Sequence, residues 1–382
     1  MTRASDTARL LGAGGTLNGA LSVDTITEKT SGNGVTIDSL NIKDGGIGGN
    51  SISGRRNIII NGDMRIAQRA TSASSLSSGT SYDSIDMYKT QIVNAGTWTI
   101  SQSTTAPTDQ GFGYSLKMDC TAADTSLGAD DFLVVQQVIE AQDLQYLKYG
   151  TSSAESITMS FWVRSNKTET FSIWLYADDN SKTISAPYTI SSADTWEKKT
   201  ITFAGDTASS ITNDNGQGIR VYFVLAAGSN WTSGTTPTTW QSDSKAIRAP
   251  EQTANLADNT SNEWYVTGIQ IEAGSQATPF EHRSLGEELK LCQRYYQIVG
   301  ISFYDDVVSG RNYGANTGFP TQMRASPTVD SSSTLNNNNR FNSNALNAGS
   351  QVTTTSFLAH KTSISTSDAG YYIATANLKS EL

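Results

Sequence analysis

SITMSFWVRS, residues 156–165, alternates apolar and polar side chains along its length. Every second residue from Ile157 to Val163 is apolar, so an extended chain would place these residues on one face and the intervening residues on the other. This period of two predicts a strand with one buried face. Comparable segments recur from residue 57 to residue 273, and the regular succession of short strands favours a two-sheet antiparallel β-sandwich.

The other predicted strands of this region share β-branched and aromatic enrichment and are bounded by turn residues. They are NIIING (57–62), YDSIDMYKTQI (82–92), WTISQS (98–103), YSLKMDC (114–120), LVVQQVIEA (133–141), ETFSIWLYA (169–177), PYTI (187–190), WEKKTITFA (196–204), IRVYFVLAA (219–227) and EWYVTGIQIEA (263–273). Between residues 228 and 262 lies a polar insertion without a strand period, and long loops on rigid sandwiches are common places for binding sites.

Composition restricts the function. The chain has 382 residues, a net charge of −9 and only 16% charged residues, with no Lys/Arg cluster longer than a pair. A surface that neutralises phosphates is therefore not expected, and nucleic acid is an unsuitable partner. No apolar run approaches the length of about 18 residues that would predict membrane insertion. The N-terminus has no apolar core of a secretory signal, so we expect synthesis in a cytoplasm, with Cys120 and Cys292 as free thiols.

The N-terminal segment, residues 1–56, predicts short strands with nothing local to pack against. Apolar residues recur at intervals of two or three between turn signals such as Gly32-Asn33-Gly34. Such a segment orders most readily when several copies of a chain wind together or when it docks on a larger assembly. A flexible tail is the alternative interpretation.

Two further regions follow the predicted sandwich of residues 57–283. Residues 284–297, SLGEELKLCQRYYQ, predict a connector helix, because Ser284 and Glu287 have the spacing of a capping box and apolar residues recur from Leu285 to Tyr296. Residues 298–382 return to short strands and predict a smaller C-terminal β domain.

The heptapeptide ATPFEHR (277–283) has the composition of a metal or catalytic site, but its pattern is that of a joint between the sandwich and the connector helix. A zinc or catalytic site would need partner ligands at characteristic spacings or a nucleophile in a recognisable setting, and none accompanies His282. We therefore expect no metal, cofactor or catalytic residue here. Instead, Phe280 is expected to plug the sandwich, while Glu281 and Arg283 stay solvated or pair with each other.

Four stretches together resemble a family. RRNIIINGDMRIAQR (55–69), the pair SITMSFWVRS and DTWEKKTITFAGDT, GIQIEAGSQATPFEHRSLGEELKLCQRYYQ (268–297) and TQMRASPTV (321–329) are similar to phage tail-fibre and receptor-binding proteins with a jelly roll like those of carbohydrate-binding modules. The resemblance implies an intertwined homotrimer in the virion, assembled in the host cytoplasm, that attaches to a bacterial surface polysaccharide. TRASDTARLLG (2–12) and ITEKTSGNGVTIDSLNIKDG (26–45) are similar to the docking ends and stalks of marine phage fibres. This resemblance implies that the N-terminus docks on other tail proteins, an adaptor or nozzle, through Arg3, Arg9, Leu10 and Leu11.

Candidate sugar contacts come from aromatic and amide side chains, because sugars stack their C–H faces on rings and bond to polar groups at their edges. Trp231 and Trp240 lie on the polar insertion, although both are also suited to fixing that loop to the sheet. A second candidate surface is the C-terminal domain, where we expect Tyr304, Tyr313, Asn316 and the run Asn336–Asn339 to be exposed.

The expected function is attachment without catalysis, in which several weak sites on one particle give firm adhesion. Two alternatives stay open. The chain would be a head fibre or spacer if it does not touch a receptor. It would be a surface-polysaccharide depolymerase if two carboxyl groups face each other across a cleft, with Asp130-Asp131, Asp178-Asp179 and Asp305-Asp306 as the candidate acids.

Overall fold

A computed structural model describes residues 35–37, 40–43, 46–47, 50–51, 55–329, 334–337, 347–363 and 367–382. The chain divides into two compact units, Met1–Ser53 and Gly54–Leu382. The described strands of the first unit form an antiparallel meander: β1 (Val35–Ile37), β2 (Leu40–Lys43), β3 (Gly46–Ile47) and β4 (Asn50–Ser51). The predicted docking residues Arg3, Arg9, Leu10 and Leu11 lie outside the described residues.

The second unit begins with a β-sandwich, as predicted. Its strands are β5 (Ser72–Leu76), β6 (Gly79–Ser81), β7 (Lys89–Val93), β8 (Thr97–Ser103), β9 (Ser115–Ala122), β10 (Phe132–Glu140), β11 (Ile157–Ser165), β12 (Thr170–Ala177), β13 (Lys182–Thr189), β14 (Glu197–Phe203), β15 (Gln217–Ala227), β16 (Gln241–Ser242) and β17 (Glu263–Ala273). One sheet has seven strands in the order β16-β13-β12-β15-β10-β7-β6, and the other has six in the order β14-β11-β17-β9-β8-β5. The pairing is antiparallel throughout both sheets.

The core fills the space between these two sheets. Phe161 of β11 meets Phe223 of β15 at 5.3 Å between ring centroids, and Trp264 of β17 lies 5.4 Å from the same Phe223 ring. All three side chains are buried. Burying an aromatic side chain of this size contributes on the order of 2–3 kcal/mol, so residues that alternate inward set which face of each strand turns to the core.

The connections within the sandwich include short helical turns. Helix α1 (Ser229–Thr232) lies in the polar insertion, and 3₁₀ turns span Ala141–Leu147, Lys245–Ile247 and Leu256–Asp258. The insertion is therefore structured by turns and by the two-residue strand β16.

The prediction that NIIING (57–62) forms a strand is wrong. This segment is extended but belongs to neither sheet, because its backbone groups bond largely to side chains and to one edge of β17. The Ile60 N–H donates to Gln137 Oε1 at 3.0 Å, and Ile58 N–H donates to Ile271 O at 2.9 Å. Asn57 reinforces this attachment, since its Oδ1 accepts from Ile271 N at 3.1 Å. The apolar run thus closes the end of the sandwich without forming a ladder.

The heptapeptide at 277–283 forms the joint, and of the two outcomes expected for Glu281 and Arg283 the structure shows pairing. Phe280 packs against Phe112 at 5.0 Å and against His282 at 4.9 Å. Arg283 is buried rather than solvated: it donates to Ile59 O and pairs with Glu288 and, at 3.6 Å, with Glu281. This joint therefore ties residues 57–59 to the exit of the sandwich.

The connector helix α2 (Leu285–Gln293) begins with the predicted capping box between Ser284 and Glu287. It ends three to four residues earlier than predicted, because the chain turns at Arg294 and enters β18 at Tyr296. Of the apolar residues that predict this helix, Cys292 is buried, whereas Leu285 is exposed. Cys120 and Cys292 are both free, as expected.

The C-terminal β domain has a small core of its own. Its strands are β18 (Tyr296–Val307), β19 (Asn312–Gly318), β20 (Thr328–Val329), β21 (Thr334–Asn337), β22 (Asn347–Val352), β23 (Ser356–Thr362) and β24 (Ser367–Lys379). β24 pairs with β18, β20 and β21, while β23 pairs with β19 and β22. Val299, Ile301 and Leu378 lie in the buried cluster between these strands.

Candidate functional site

The outer face of the seven-stranded sheet carries large aromatic side chains. In β12 the residues Phe171, Ile173 and Leu175 point into the main core, so Trp174 and Tyr176 point outward. Trp174 lies opposite Tyr222 of β15, and their rings stack at 3.9 Å between centroids with an interplanar angle of 11°. Strand alternation and register therefore place an aromatic pair on a face that would otherwise be polar.

The polar insertion folds back over this pair. Trp231, on α1, packs against Phe132 at 4.4 Å and meets Trp174 edge to face at 5.9 Å. Its Nε1–H donates to Asp130 O at 3.2 Å. Because Trp231 is only 4% exposed, it fixes the insertion to the sheet and at the same time forms one wall of the space beside it.

Arg248 lies above the rings. Its guanidinium carbon is 4.4 Å from the Trp174 centroid and 4.9 Å from that of Trp231, within the range of a cation–π contact. Arg248 Nε donates to Asp243 Oδ1 at 2.9 Å, and Nη2 contacts the other carboxylate oxygen. Although burial raises the pKa of Asp243, the bonds from Arg248 and Thr183 outweigh it and lower that pKa overall. The pair is thus ionised and holds Arg248 in place.

Arg220 forms the opposite wall. Its Nε donates to Asp178 Oδ2 at 2.9 Å, its Nη2 contacts Asp178 Oδ1, and its guanidinium lies 5.4 Å from the Tyr176 ring. A longer contact of 3.4 Å joins Nη1 to the Tyr222 hydroxyl. Burial raises the pKa of Asp178, and the Arg220 guanidinium partly offsets this.

Together these side chains enclose a cleft of about 220 Å³. Eight residues line it: Gln91, Phe132, Trp174, Tyr176, Arg220, Tyr222, Trp231 and Arg248. Gln136 lies on the same face beside Gln91, at 3.4 Å from Nε2 to the Gln91 Oε1, and its own Oε1 has no hydrogen-bond partner among the described residues although the side chain is only 2% exposed. Aromatic rings with convergent donors and an unfilled acceptor are typical of a ligand site.

The structure separates the other predicted sugar contacts from this cleft. Trp240 is 7% exposed, packs against Tyr149 and donates from Nε1 to Ala204 O at 2.8 Å, so it fixes the insertion in place, which is the alternative that the sequence left open. Tyr304 is 75% exposed on β18. Tyr313 and Asn316 belong to β19 in a different sheet, where Tyr313 packs against Phe303 at 5.3 Å and Asn316 is exposed.

Tyr304 belongs to a second exposed surface. It lies opposite Tyr371 of β24, and the next outward pair along the ladder is Ser302 and Ile373. These side chains border a shallow depression of about 400 Å³ on the outer face of the C-terminal sheet. Of the asparagine run, Asn336 and Asn337 lie in β21, and Asn338 and Asn339 are outside the described residues.

The candidate acids have other partners. Asp178 binds Arg220, whereas Asp179 accepts from Thr212 N at 2.8 Å and so serves a different contact. Asp130 pairs with Lys245 at 2.7 Å, and Asp131 accepts from Gly128 N at 2.6 Å. In the described part of the chain, no group of three His, Cys, Asp or Glu residues is arranged to hold a metal ion. The helices among those residues are all too short or too polar to cross a bilayer.

Sequence patterns contain a signal for the cleft that the predicted contacts did not use. In ETFSIWLYA (169–177) and IRVYFVLAA (219–227) the apolar alternation assigns one face to the core. Trp174, Tyr176 and Tyr222 then fall on the opposite face, which is a costly position for large rings unless something covers or binds them. Arg248, by contrast, reaches the cleft through the fold of the insertion and has no strand period to reveal it.

No family model and no curated protein matches this chain. Among solved structures, it is similar to the enzymatically active domain of tailspike protein 4 of bacteriophage CBA120, with 11% identity and a TM-score of 0.30 over 57% of this chain and 21% of that one. TmCBM61 in complex with β-1,4-galactotriose gives 8% identity and a TM-score of 0.29 over 57% of this chain and 99% of that one. A family 11 carbohydrate-binding module from Clostridium thermocellum, in complex with a β-1,3-1,4-mixed-linked tetrasaccharide, gives 14% identity and a TM-score of 0.26 over 56% of this chain and 95% of that one. Likenesses at this level decide neither the fold nor the function of this chain.

Proposed function

We propose that this chain binds a glycan non-covalently through the cleft on the outer face of the seven-stranded sheet. The observation that carries the proposal is the enclosure of Trp174, Tyr222 and Trp231 with two fixed guanidinium groups around one cavity of about 220 Å³. Sugars combine apolar C–H faces with a ring of hydroxyl groups, and this cleft offers rings as a floor and donors as walls.

The biological setting we propose is attachment of a phage particle to a bacterial surface. The resemblance of residues 55–69, 268–297 and 321–329 to tail-fibre and receptor-binding proteins supports this setting. In it the sandwich is a jelly roll, the chain is a homotrimer, and the N-terminal segment docks on the tail through residues such as Arg3 and Arg9. Three cleft sites in one trimer would bind a repeating polysaccharide far more firmly than one site does.

The proposed activity is binding rather than cleavage. Glycosidases use two carboxyl groups that face one another across the sugar, and the eight residues that line the cleft supply none. A depolymerase role is tested separately: incubation of the purified chain with a polysaccharide that it binds would release reducing ends if the chain were an enzyme, and we expect no release.

The binding site is tested on an array of bacterial surface polysaccharides with the full chain and two variants. Tyr176→Ala removes a half-buried wall of the cleft, and Tyr304→Ala removes the exposed ring of the C-terminal surface. We expect the first variant to lose binding and the second to retain it. The opposite result would move the receptor contact to the C-terminal surface, and the absence of any binding would favour a spacer or head fibre.

The assembly is tested independently of the glycan. Sedimentation of the full chain is expected to give the mass of three copies, and immunogold labelling is expected to place the chain on the tail of the particle. Sedimentation at the mass of one copy would contradict the trimer, and a label on the capsid would favour a head fibre.

A further inference from the structure

The lining of the cleft carries cationic side chains in a molecule that is acidic overall. The chain has a net charge of −9, yet the eight residues that line the cleft include two arginines and no carboxyl group. The partners Asp178 and Asp243 hold Arg220 and Arg248 without being among those eight residues. The cationic ends of both ion pairs therefore border the cavity.

Both guanidinium groups keep hydrogen-bonding capacity after their ion pairs are made. Arginine has five N–H donors. Arg248 uses Nε and Nη2 for Asp243, and the described residues give its Nη1 no hydrogen-bond partner. Arg220 Nη1 makes only the 3.4 Å contact with the Tyr222 hydroxyl. Each wall thus presents positioned donors whose side chains are already ordered, which reduces the entropy lost when a ligand binds.

An unfilled acceptor accompanies these donors. Gln136 lies beside Gln91, which lines the cleft, and the Gln136 Oε1 is buried without a hydrogen-bond partner. Gln91 itself adds a neutral amide to the lining, which suits sugar hydroxyl groups. A ligand that carries both an anionic group and hydroxyl groups would match the whole lining.

We infer that the glycan bound in this cleft is acidic, with a carboxylate on a sugar ring held by Arg248 and Arg220. Arginine suits this role because its planar fork matches a carboxylate and its face stacks on aromatic rings, as Arg248 does on Trp174 and Trp231. Lys89, whose position in β7 is directly opposite Gln136, adds a further cation to this part of the sheet. The inference rests on the proposed glycan-binding function.

The test uses the same polysaccharides before and after chemical reduction of their carboxyl groups, spotted side by side on one array. We expect the full chain to bind native acidic members and to lose about tenfold or more in affinity after reduction, since hydrogen bonds to charged groups are among the stronger ones. Added salt should weaken the binding. Equal binding to native and reduced members, or binding confined to neutral members, would overturn the inference while leaving glycan binding intact. No binding to any member would instead overturn the proposed function.

A pair of variants assigns the effect to the cleft. The double variant Asp243→Asn with Arg248→Gln replaces the ion pair by two neutral amides and avoids an unpaired buried charge. We expect it to lose the preference for native over reduced members while retaining a wild-type near-ultraviolet circular dichroism spectrum. Lys245→Gln removes an exposed cation of the same insertion, paired with Asp130, and should keep the preference. Loss of the preference in both variants would attribute it to general surface charge and overturn the inference.

Discussion

The carboxylate of Glu288, on the connector helix, accepts the backbone N–H of Asn61, 227 residues earlier in the chain. The same oxygen lies 3.3 Å from Arg283 Nη1, and both side chains are 6% exposed. Asn61 itself has a positive φ of 58° and is held by bonds to Ile66. One acidic side chain thus connects the start of the second unit to the helix that leaves the sandwich.

Replacement of this carboxylate should destabilise the protein strongly. We expect Glu288→Ala to lower the free energy of unfolding by about 3 kcal/mol, because it removes the buried carboxylate beside Arg283 and leaves the Asn61 N–H without its acceptor. Glu288→Gln, which keeps an acceptor, should cost less. The measurement is urea unfolding, and Lys290→Ala on the exposed side of the same helix is the control, expected within about 0.5 kcal/mol of wild type. Equal losses of unfolding free energy in the two alanine variants would contradict the stabilising role of the Glu288 contacts with Asn61 and Arg283.

The sequence predicted this region in part. The capping box at Ser284 was predictable because its two residues are close in sequence, and strands such as β11 and β17 were predictable from their period of two. NIIING has the composition of a strand, but its N–H groups bond to Gln137 and Glu288, residues that no local pattern connects to it. The strand prediction at NIIING was therefore wrong because the hydrogen-bond partners of this segment are side chains distant in sequence.

Contacts between residues distant in sequence also explain why the sequence could not distinguish the roles of Trp231 and Trp240. Both lie on a polar insertion without a strand period, so the sequence left open for each whether it contacts a sugar or fixes the loop. Only the folded insertion determines that Trp240 packs against Tyr149 while Trp231 borders the cleft. Arg248 was not predictable as a cleft residue for this reason as well.

Stability should decrease as the pH rises through the neutral range. Burial raises the pKa of Glu381 from 4.5 to about 7, and the Arg69 guanidinium at 2.5 Å only partly offsets this. Because the folded state holds the proton more tightly than the unfolded state, this stabilisation is complete below pH 4.5 and is lost progressively up to about pH 7. The loss from this group is at most about 3 kcal/mol. Asp86, whose pKa is also raised by burial, changes stability in the same direction.

Urea unfolding across this pH range checks the prediction, with Glu381→Gln as the variant. The amide cannot ionise, so the variant should show a flatter dependence of unfolding free energy on pH. Burial lowers the pKa of Lys89 from 10.5 to about 8, so the contribution of Lys89 to stability changes only above about pH 8. It therefore does not overlap the pH range in which Glu381 acts. A variant with the same slope as wild type would exclude Glu381 as its source.

Alanine at position 268 should disrupt the six-stranded sheet. Gly268 has a φ of +61° at a β-bulge between β11 and β17, and a Cβ there would lie 2.5 Å from Phe112 Cζ. We expect Gly268→Ala to lower the unfolding free energy by about 2 kcal/mol, from backbone strain and displacement of the ring. Gly113→Ala, where a Cβ would meet nothing within 4 Å, is the control and should change little. Similar melting temperatures for both variants would refute the close packing.

Trp240 should matter for stability and not for binding. Trp240→Phe loses the bond from Nε1 to Ala204 O and should cost about 1 kcal/mol, whereas its affinity for a glycan bound by the wild-type chain should be unchanged. Tyr176→Ala should show the reverse pattern, with affinity lost by about tenfold and a smaller change in stability. Calorimetric titration and thermal unfolding of both variants check this. A loss of affinity in Trp240→Phe without unfolding would place Trp240 in the site.

The attachment of residues 56–58 to residues 269–281 has a mechanical consequence. Arg56 N and Asn57 N both donate to Glu281, and Ile58 N donates to Ile271 O, so the segments that enter and leave the sandwich are bonded side by side. When the chain is pulled at residue 55 and at the start of β18, the tension is carried across these few bonds and does not run through β10, β12 and β15. The sheet that carries the cleft is therefore shielded from a force applied at these two points.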